Sequence, residues 1–191
     1  MPPTASDAEV RALLERYRCP TPFHAVRTRF LGSIASPDLQ VAPMKTVEAL
    51  WGGALPEFEN IEALNELLAA LMMGLWDRLT RHQERSAPFR LTRIEVPATR
   101  EGMATLALMR REELDGFTEG LLGDNESMDL PERAHHAIKL LGEMRAMLEG
   151  VRELAENPSK PAEPGDFAAL LGHFRELTQV AEHEMHEAVL S

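Results

Sequence analysis

Along most of this chain, apolar residues return every three or four positions, the period of one face of an α-helix. Ser6-Asp7-Ala8-Glu9 has the spacing of a capping box, and Val10, Leu13, Leu14 and Tyr17 follow on one face. Pro20 and Pro22 close that helix and open a second, marked by Phe23, Val26, Phe30, Leu31 and Ile34 and broken at Ser36-Pro37-Asp38. Pro43 suits a first helical turn. Val47, Leu50 and Trp51 complete a short third helix, which Gly52-Gly53 stops. Asn60 can cap a fourth helix. Its stripe, from Ile61 through Leu64, Leu67, Leu71, Leu75 and Leu79, is broad enough for burial against several neighbours.

Between 86 and 109 the pattern changes. Pro88 and Pro97 flank Phe89-Arg90-Leu91-Thr92-Arg93-Ile94-Glu95-Val96, and Gly102 precedes Thr105-Leu106-Ala107-Leu108-Met109. Imperfect alternation predicts either a short β-hairpin or an extended loop near 88–109. A helix resumes near Arg110 and runs to Leu122. Asp129-Leu130-Pro131-Glu132 reads as another helix start, with a capping carboxylate and a first-turn proline. Ala134, Ala137, Ile138, Leu141, Met144, Leu148 and Val151 supply its buried face. Residues 157–165 hold three prolines and form a loop. The last helix, 166–190, turns Phe167, Leu170, Leu171, Phe174, Leu177 and Ala181 inward. The expected fold is all-α, a compact multi-helical bundle of about seven helices. It forms a single domain over 1–191, with a loosely attached helix 166–190 as the variant organisation.

Composition adds bounds. A chain of 191 residues with 44% apolar content is long enough for one core, hiding roughly 70% of the surface its unfolded form exposes. The net charge of −11 argues against nucleic-acid binding, which needs a cationic footprint. The charge is uneven: residues 112–191 hold 18 acidic and 6 basic residues. Arg78, Arg81, Arg85, Arg90, Arg93 and Arg100 form a basic stretch. It reads either as an internal ion-pairing partner of the acidic half or as a docking patch for an acidic protein. No run of about 18 apolar residues predicts a membrane span. No basic n-region followed by an apolar run predicts a secretory leader, and a cytoplasmic protein is expected.

Candidate chemistry is sparse. Cys19 is the sole cysteine, so it is expected to fill space rather than react or build a zinc site. His183 and His186 stand three apart and His183 and Glu187 four apart, a spacing that can hold a metal with outside help. A solvated helix face is the preferred reading, and histidines in a last turn suit the helix dipole. Glu132 and His135 form one Glu-x-x-His, where di-iron bundles need two copies and further glutamates. His24 and His82 have no partner legible in the sequence. No phosphate-binding Gly-rich loop, Gly-x-Ser-x-Gly or Cys–His pair is present. No catalytic residue and no cofactor is assigned, and an enzyme is disfavoured. The alternatives are a metal-binding helical protein that uses the C-terminal His and Glu residues, or an enzyme with a dispersed site.

Several short motifs occur in an order that carries more than each alone. Phe30-Leu31-Gly32-Ser33-Ile34-Ala35-Ser36-Pro37 is followed by Val41-Ala42-Pro43, then by Ala49-Leu50-Trp51-Gly52-Gly53, and later by Glu112-Glu113-Leu114-Asp115-Gly116-Phe117-Thr118-Glu119-Gly120. From roughly Phe23 to Leu154 the chain resembles the YecA/YgfB family of bacterial helical proteins. Phe30, Pro37, Trp51, Gly52, Gly53, Gly116, Phe117 and Gly120 stand at its signature positions. Thr28-Arg29 replaces an acidic–Gly pair of the family, and Glu113 or Leu114 replaces a tryptophan. Longer members carry a Cys-rich zinc-binding tail, and no such motif is expected in these residues. The resemblance implies an all-α fold, often a homodimer, with roles in protein–protein regulation rather than catalysis. Independently of it, Gly116 and Gly120 lie four apart on one helical face, where bare backbone allows a neighbouring helix to approach closely.

Overall fold

In the computed structural model, residues 5–37, 43–123, 129–157, 159 and 164–191 are described. The Val41-Ala42 part of the signature lies outside them. Helix α1 (Asp7–Arg16) starts on the expected capping box: the Ser6 hydroxyl accepts from the Glu9 amide at 3.3 Å, and the Ser6 amide donates to the Glu9 carboxylate at 2.7 Å. Helix α2 (Phe23–Ala35) and helix α3 (Pro43–Ala49) follow. Helix α4 (Ile61–Leu68) is capped by Asn60, whose side chain accepts from the Ala63 amide at 2.8 Å.

From there the helical rod departs from regular α geometry. Ala69–Trp76 is π-helical, α5 (Asp77–Thr80) returns to α, and Arg81–Gln83 ends the rod as a 3₁₀ turn. The π segment reads Ala-Ala-Leu-Met-Met-Gly-Leu-Trp. It is apolar on every side, so the wider winding of i→i+5 hydrogen bonds rotates no charge into the core.

Helix α6 (Arg100–Leu122), helix α7 (Glu132–Glu156) and helix α8 (Pro164–Val189) complete the chain. The fold is all-α, a compact multi-helical bundle. Helix α2 lies along α6, α6 along α7 and α7 along α8, while α8 also touches α2 and the 3₁₀ turn. Phe30, Phe117, Leu71, Met103, Leu141 and Met185 are fully buried between them.

The α2–α6 contact is set by glycine. A Cβ on Gly120 would collide with the Arg29 carbonyl oxygen, and one on Gly32 with that of Phe117. A Cβ on Gly116 would lie 2.6 Å from the Ala25 carbonyl and 2.7 Å from the Thr28 hydroxyl. Only bare backbone permits this separation, so the two helices pack main chain against main chain.

The structure decides one open alternative and corrects two helix starts. Of the two alternatives for 88–109, the extended loop is the one found: no strand occurs among the described residues, and the non-helical stretch covers 84–99. Helix α6 starts ten positions before Arg110. The Thr99 hydroxyl caps it by accepting from the Gly102 amide at 3.2 Å, and Met103, Leu106, Ala107 and Arg110 continue one helical face into the core. Gly102 is a packing glycine of α6 whose Cβ would strike the Pro97 carbonyl. At α7 the cap position is Pro131, and no side chain supplies the cap bond expected of Asp129.

Candidate interaction site

Residues 88–97 run without helix, turn or bend. Phe89 and Leu91 are buried, which pulls the main chain inward. A buried backbone needs partners for its polar groups, and with no neighbouring strand those partners are side chains. Leu91 donates its amide to Glu182 Oε1 at 3.0 Å, and Thr92 donates to Glu113 Oε1 at 2.7 Å. The Thr92 carbonyl accepts from Arg110 Nη2 at 2.9 Å, and the Arg90 carbonyl from Arg27 Nη2 at 3.1 Å. Four side chains from α2, α6 and α8 thus stand in for a β-ladder.

The supports are themselves braced. Arg110 and Glu113 form an ion pair inside the protein, with Glu113 wholly buried, and Arg110 Nε donates to the Thr178 hydroxyl at 3.2 Å. The second oxygen of Glu182 pairs with Arg90 at 2.6 Å. Arg27 lies over the Phe89 ring at 5.2 Å from its centroid. Burial pushes the Arg27 guanidinium below its usual pKa, against the pull of Asp7 and Glu113.

The bracing ends at Thr92. No backbone group of Arg93, Ile94, Glu95 or Val96 has a hydrogen-bond partner among the described residues. These four residues form one wall of a groove of ≈660 Å³, and α8 forms the other. Leu106, Leu171 and Phe174 make its apolar floor, with Arg93, Arg175 and Gln179 at the rim.

Of the metal candidates, His183 and Glu187 line one groove and His186 does not. His183 is exposed and lines a second groove, of ≈610 Å³, with Glu132, His135, His136 and Glu184. His186 is buried, and neither ring nitrogen has a hydrogen-bond partner. Glu187 is tied to Arg133 in an ion pair. No group of three or more His, Cys, Asp or Glu side chains among the described residues is placed to hold a metal ion.

The remaining sequence candidates serve the fold. Phe30 is buried with its ring 5.4 Å from that of Trp76, and Phe117 is buried beside the glycine contact. Pro37 is exposed just after α2. Trp51 is half-buried and donates from Nε1 to the Tyr17 carbonyl at 3.0 Å. Gly52 and Gly53 turn the chain away at φ of 79° and 105°. Cys19 directs its thiol at the Leu50 carbonyl, and burial pushes its pKa up, the reverse of what a nucleophile needs.

His24 and His82 do have partners. His24 Nε2 lies 2.7 Å from Glu112, and His82 Nδ1 lies 2.6 Å from the Ala87 carbonyl. Much of the basic stretch is likewise engaged. Arg78 pairs with Asp7, Arg90 with Glu182 and Arg93 with Glu95, and Arg100 donates to the Leu154 and Asn157 carbonyls. Of these, Arg90 reaches a carboxylate of the acidic half.

No protein-family model, curated protein or solved structure matches the chain.

The bracing residues Arg27, Glu113 and Glu182 were absent from the sequence candidates. Their signal was nonetheless present, because Arg110 and Glu113 fall within the apolar repeat of α6 and Glu182 lies beside the buried Ala181 of α8. A charge on a buried face needs a partner.

Proposed function

We propose that this chain is a non-enzymatic protein-interaction or regulatory protein of the YecA/YgfB type, acting in the cytoplasm on another protein. The order of the signature residues from Phe30 to Gly120 supports the family reading. The observation that carries the interaction reading is the use made of the buried charges. Arg110, Glu113 and Glu182 are held in bonds that fix residues 88–92, and the segment leaves that support beside an open groove. Groups so fully engaged brace a surface better than they exchange protons with a substrate.

No described helix is long and apolar enough to cross a membrane. Cross-linking of the tagged chain in its native cells, followed by mass spectrometry, tests the proposal. A reproducible protein partner is expected, and recovery of nothing but the chain itself would end it. Light scattering of the purified protein separates a homodimer from a partner of different sequence.

A further inference from the structure

We infer that the groove between residues 93–96 and α8 receives an extended peptide of a partner protein. The peptide adds itself as a strand along Arg93–Val96, seats an apolar side chain on the floor and sets a carboxylate against Arg93 and Arg175. This rests on the interaction reading above and names its partner chemistry.

Three features of the groove converge on that occupant. First, the unbent segment changes character in mid-course. Up to Thr92 its main chain is held by Glu182, Glu113, Arg110 and Arg27. From Arg93 to Val96 its backbone groups have no protein partner among the described residues. An extended peptide can pair with such groups without breaking any internal bond, the mode by which exposed sheet edges capture strands. The anchored half fixes the free half in place, so little ordering cost falls on binding.

Second, Phe174 and Leu106 are buried in the floor while Leu171, Ile94 and Val96 remain half-exposed around them. One aliphatic side chain lying on this floor covers apolar surface that water now contacts. Alternation of side chains along a strand places its neighbours at the rim.

Third, the rim carries two arginines, Arg93 and Arg175, beside one exposed carboxylate, Glu95. Arg175 has no ion-pair partner among the described residues. Arg93 meets only Glu95, and both side chains are more than four-fifths exposed. An exposed pair of that kind is worth about 0–1 kcal/mol, so an incoming carboxylate exchanges for it readily.

Other occupants fit less well. A partner helix would satisfy its own backbone and leave Arg93–Val96 unpaired. Nucleic acid needs a continuous cationic footprint, and this groove offers two rim arginines beside Glu95.

The probe is a pool of seven-residue fluorescein-labelled peptides with Leu at the centre, Glu on both sides of it, and Val, Thr or Ser elsewhere. Binding to the full chain is read by fluorescence anisotropy. Saturable binding below about 1 mM is expected. N-methylation of alternate peptide amides in the best binder should weaken it about tenfold. Arg175→Glu should weaken it about fivefold or more, while Arg85→Glu, an equal charge change at an exposed position away from the groove, leaves it unchanged. Circular dichroism confirms that both variants fold.

The inference is overturned if no member of the pool binds below about 1 mM. Affinity insensitive to N-methylation or to Arg175→Glu also overturns it. A two-protomer mass that Arg175→Glu converts to one protomer assigns the groove to a second copy and overturns it as well. If cross-linking captures a partner that excess groove peptide does not release, the groove assignment fails while the interaction reading stands. If no partner is captured at all, that reading itself fails.

Discussion

A methyl group added at Gly120 would collide with the Arg29 carbonyl, so Gly120→Ala is expected to force α2 and α6 apart and cost about 1–3 kcal/mol. Gly142→Ala, on an exposed position of α7 where a Cβ would meet nothing within 4 Å, is expected to stabilise by about 0.5–1 kcal/mol. Urea unfolding of the two variants side by side checks both signs. Glu113 poses a different residue-scale test, because it compensates Arg110 and also holds the Thr92 amide. Glu113→Ala leaves a buried guanidinium unpaired, a change that costs about 3–5 kcal/mol. Arg110→Met with Glu113→Leu removes the buried charge but not the need for partners at Thr92. The double variant is therefore expected to recover only part of that loss in the same unfolding experiment. Full recovery would mean that the pair does not support the segment.

Among the elements, the 88–97 segment is tied to α8 through one side chain that can be removed, Glu182. Glu182→Ala removes the acceptor of the Leu91 amide. Hydrogen exchange at Leu91 should accelerate, while Gly102, held by the Thr99 cap, keeps its protection. The same stretch shows where the sequence was readable and where it was not. The helices with strong apolar repeats and local caps, such as α1 behind Ser6 and α4 behind Asn60, were legible because neighbouring residues determine them. The start of α6 at Arg100 is not legible, because the imperfect alternation around Pro97 reads as extended chain and the helix is opened by a single Thr99 hydroxyl. The π segment was hidden for a related reason, since an all-apolar run gives the same pattern whether wound in α or π turns. At the groove, the apolar floor residues of α8 were assigned to the helix face. The unpaired edge of Arg93–Val96 was illegible, because it arises from what the rest of the fold fails to supply.

At the scale of the molecule, acid acts in two stages. Burial, the largest cause, lowers the pKa of His82, and the nearby charges of Arg27, His186 and Arg81 lower it further, while the bond to the Ala87 carbonyl raises it. The unfolded chain then takes up a proton near 6.5, before the folded one does. Stability is therefore full above that pH and falls as the pH drops through the window down to the lowered folded value. Glu149, held by Arg152 and Arg111, is lowered from 4.5 to about 2. Its contribution is present above 4.5 and fades toward about 2. Unfolding midpoints measured across this range should decline in both windows, and His82→Leu should flatten the first alone.

The bracing of residues 88–92 also has a consequence in time. Leu91 and Glu182 are 91 positions apart, and Arg90 and Glu182 are 92 apart. On the ribosome, Phe89 and Leu91 emerge long before the carboxylate that anchors them, and contacts of such span are among the last to close. The nascent chain therefore carries an unbraced segment with two apolar anchors while the next 91 residues are made. A chain halted before Glu182 should bind chaperones that the finished protein does not.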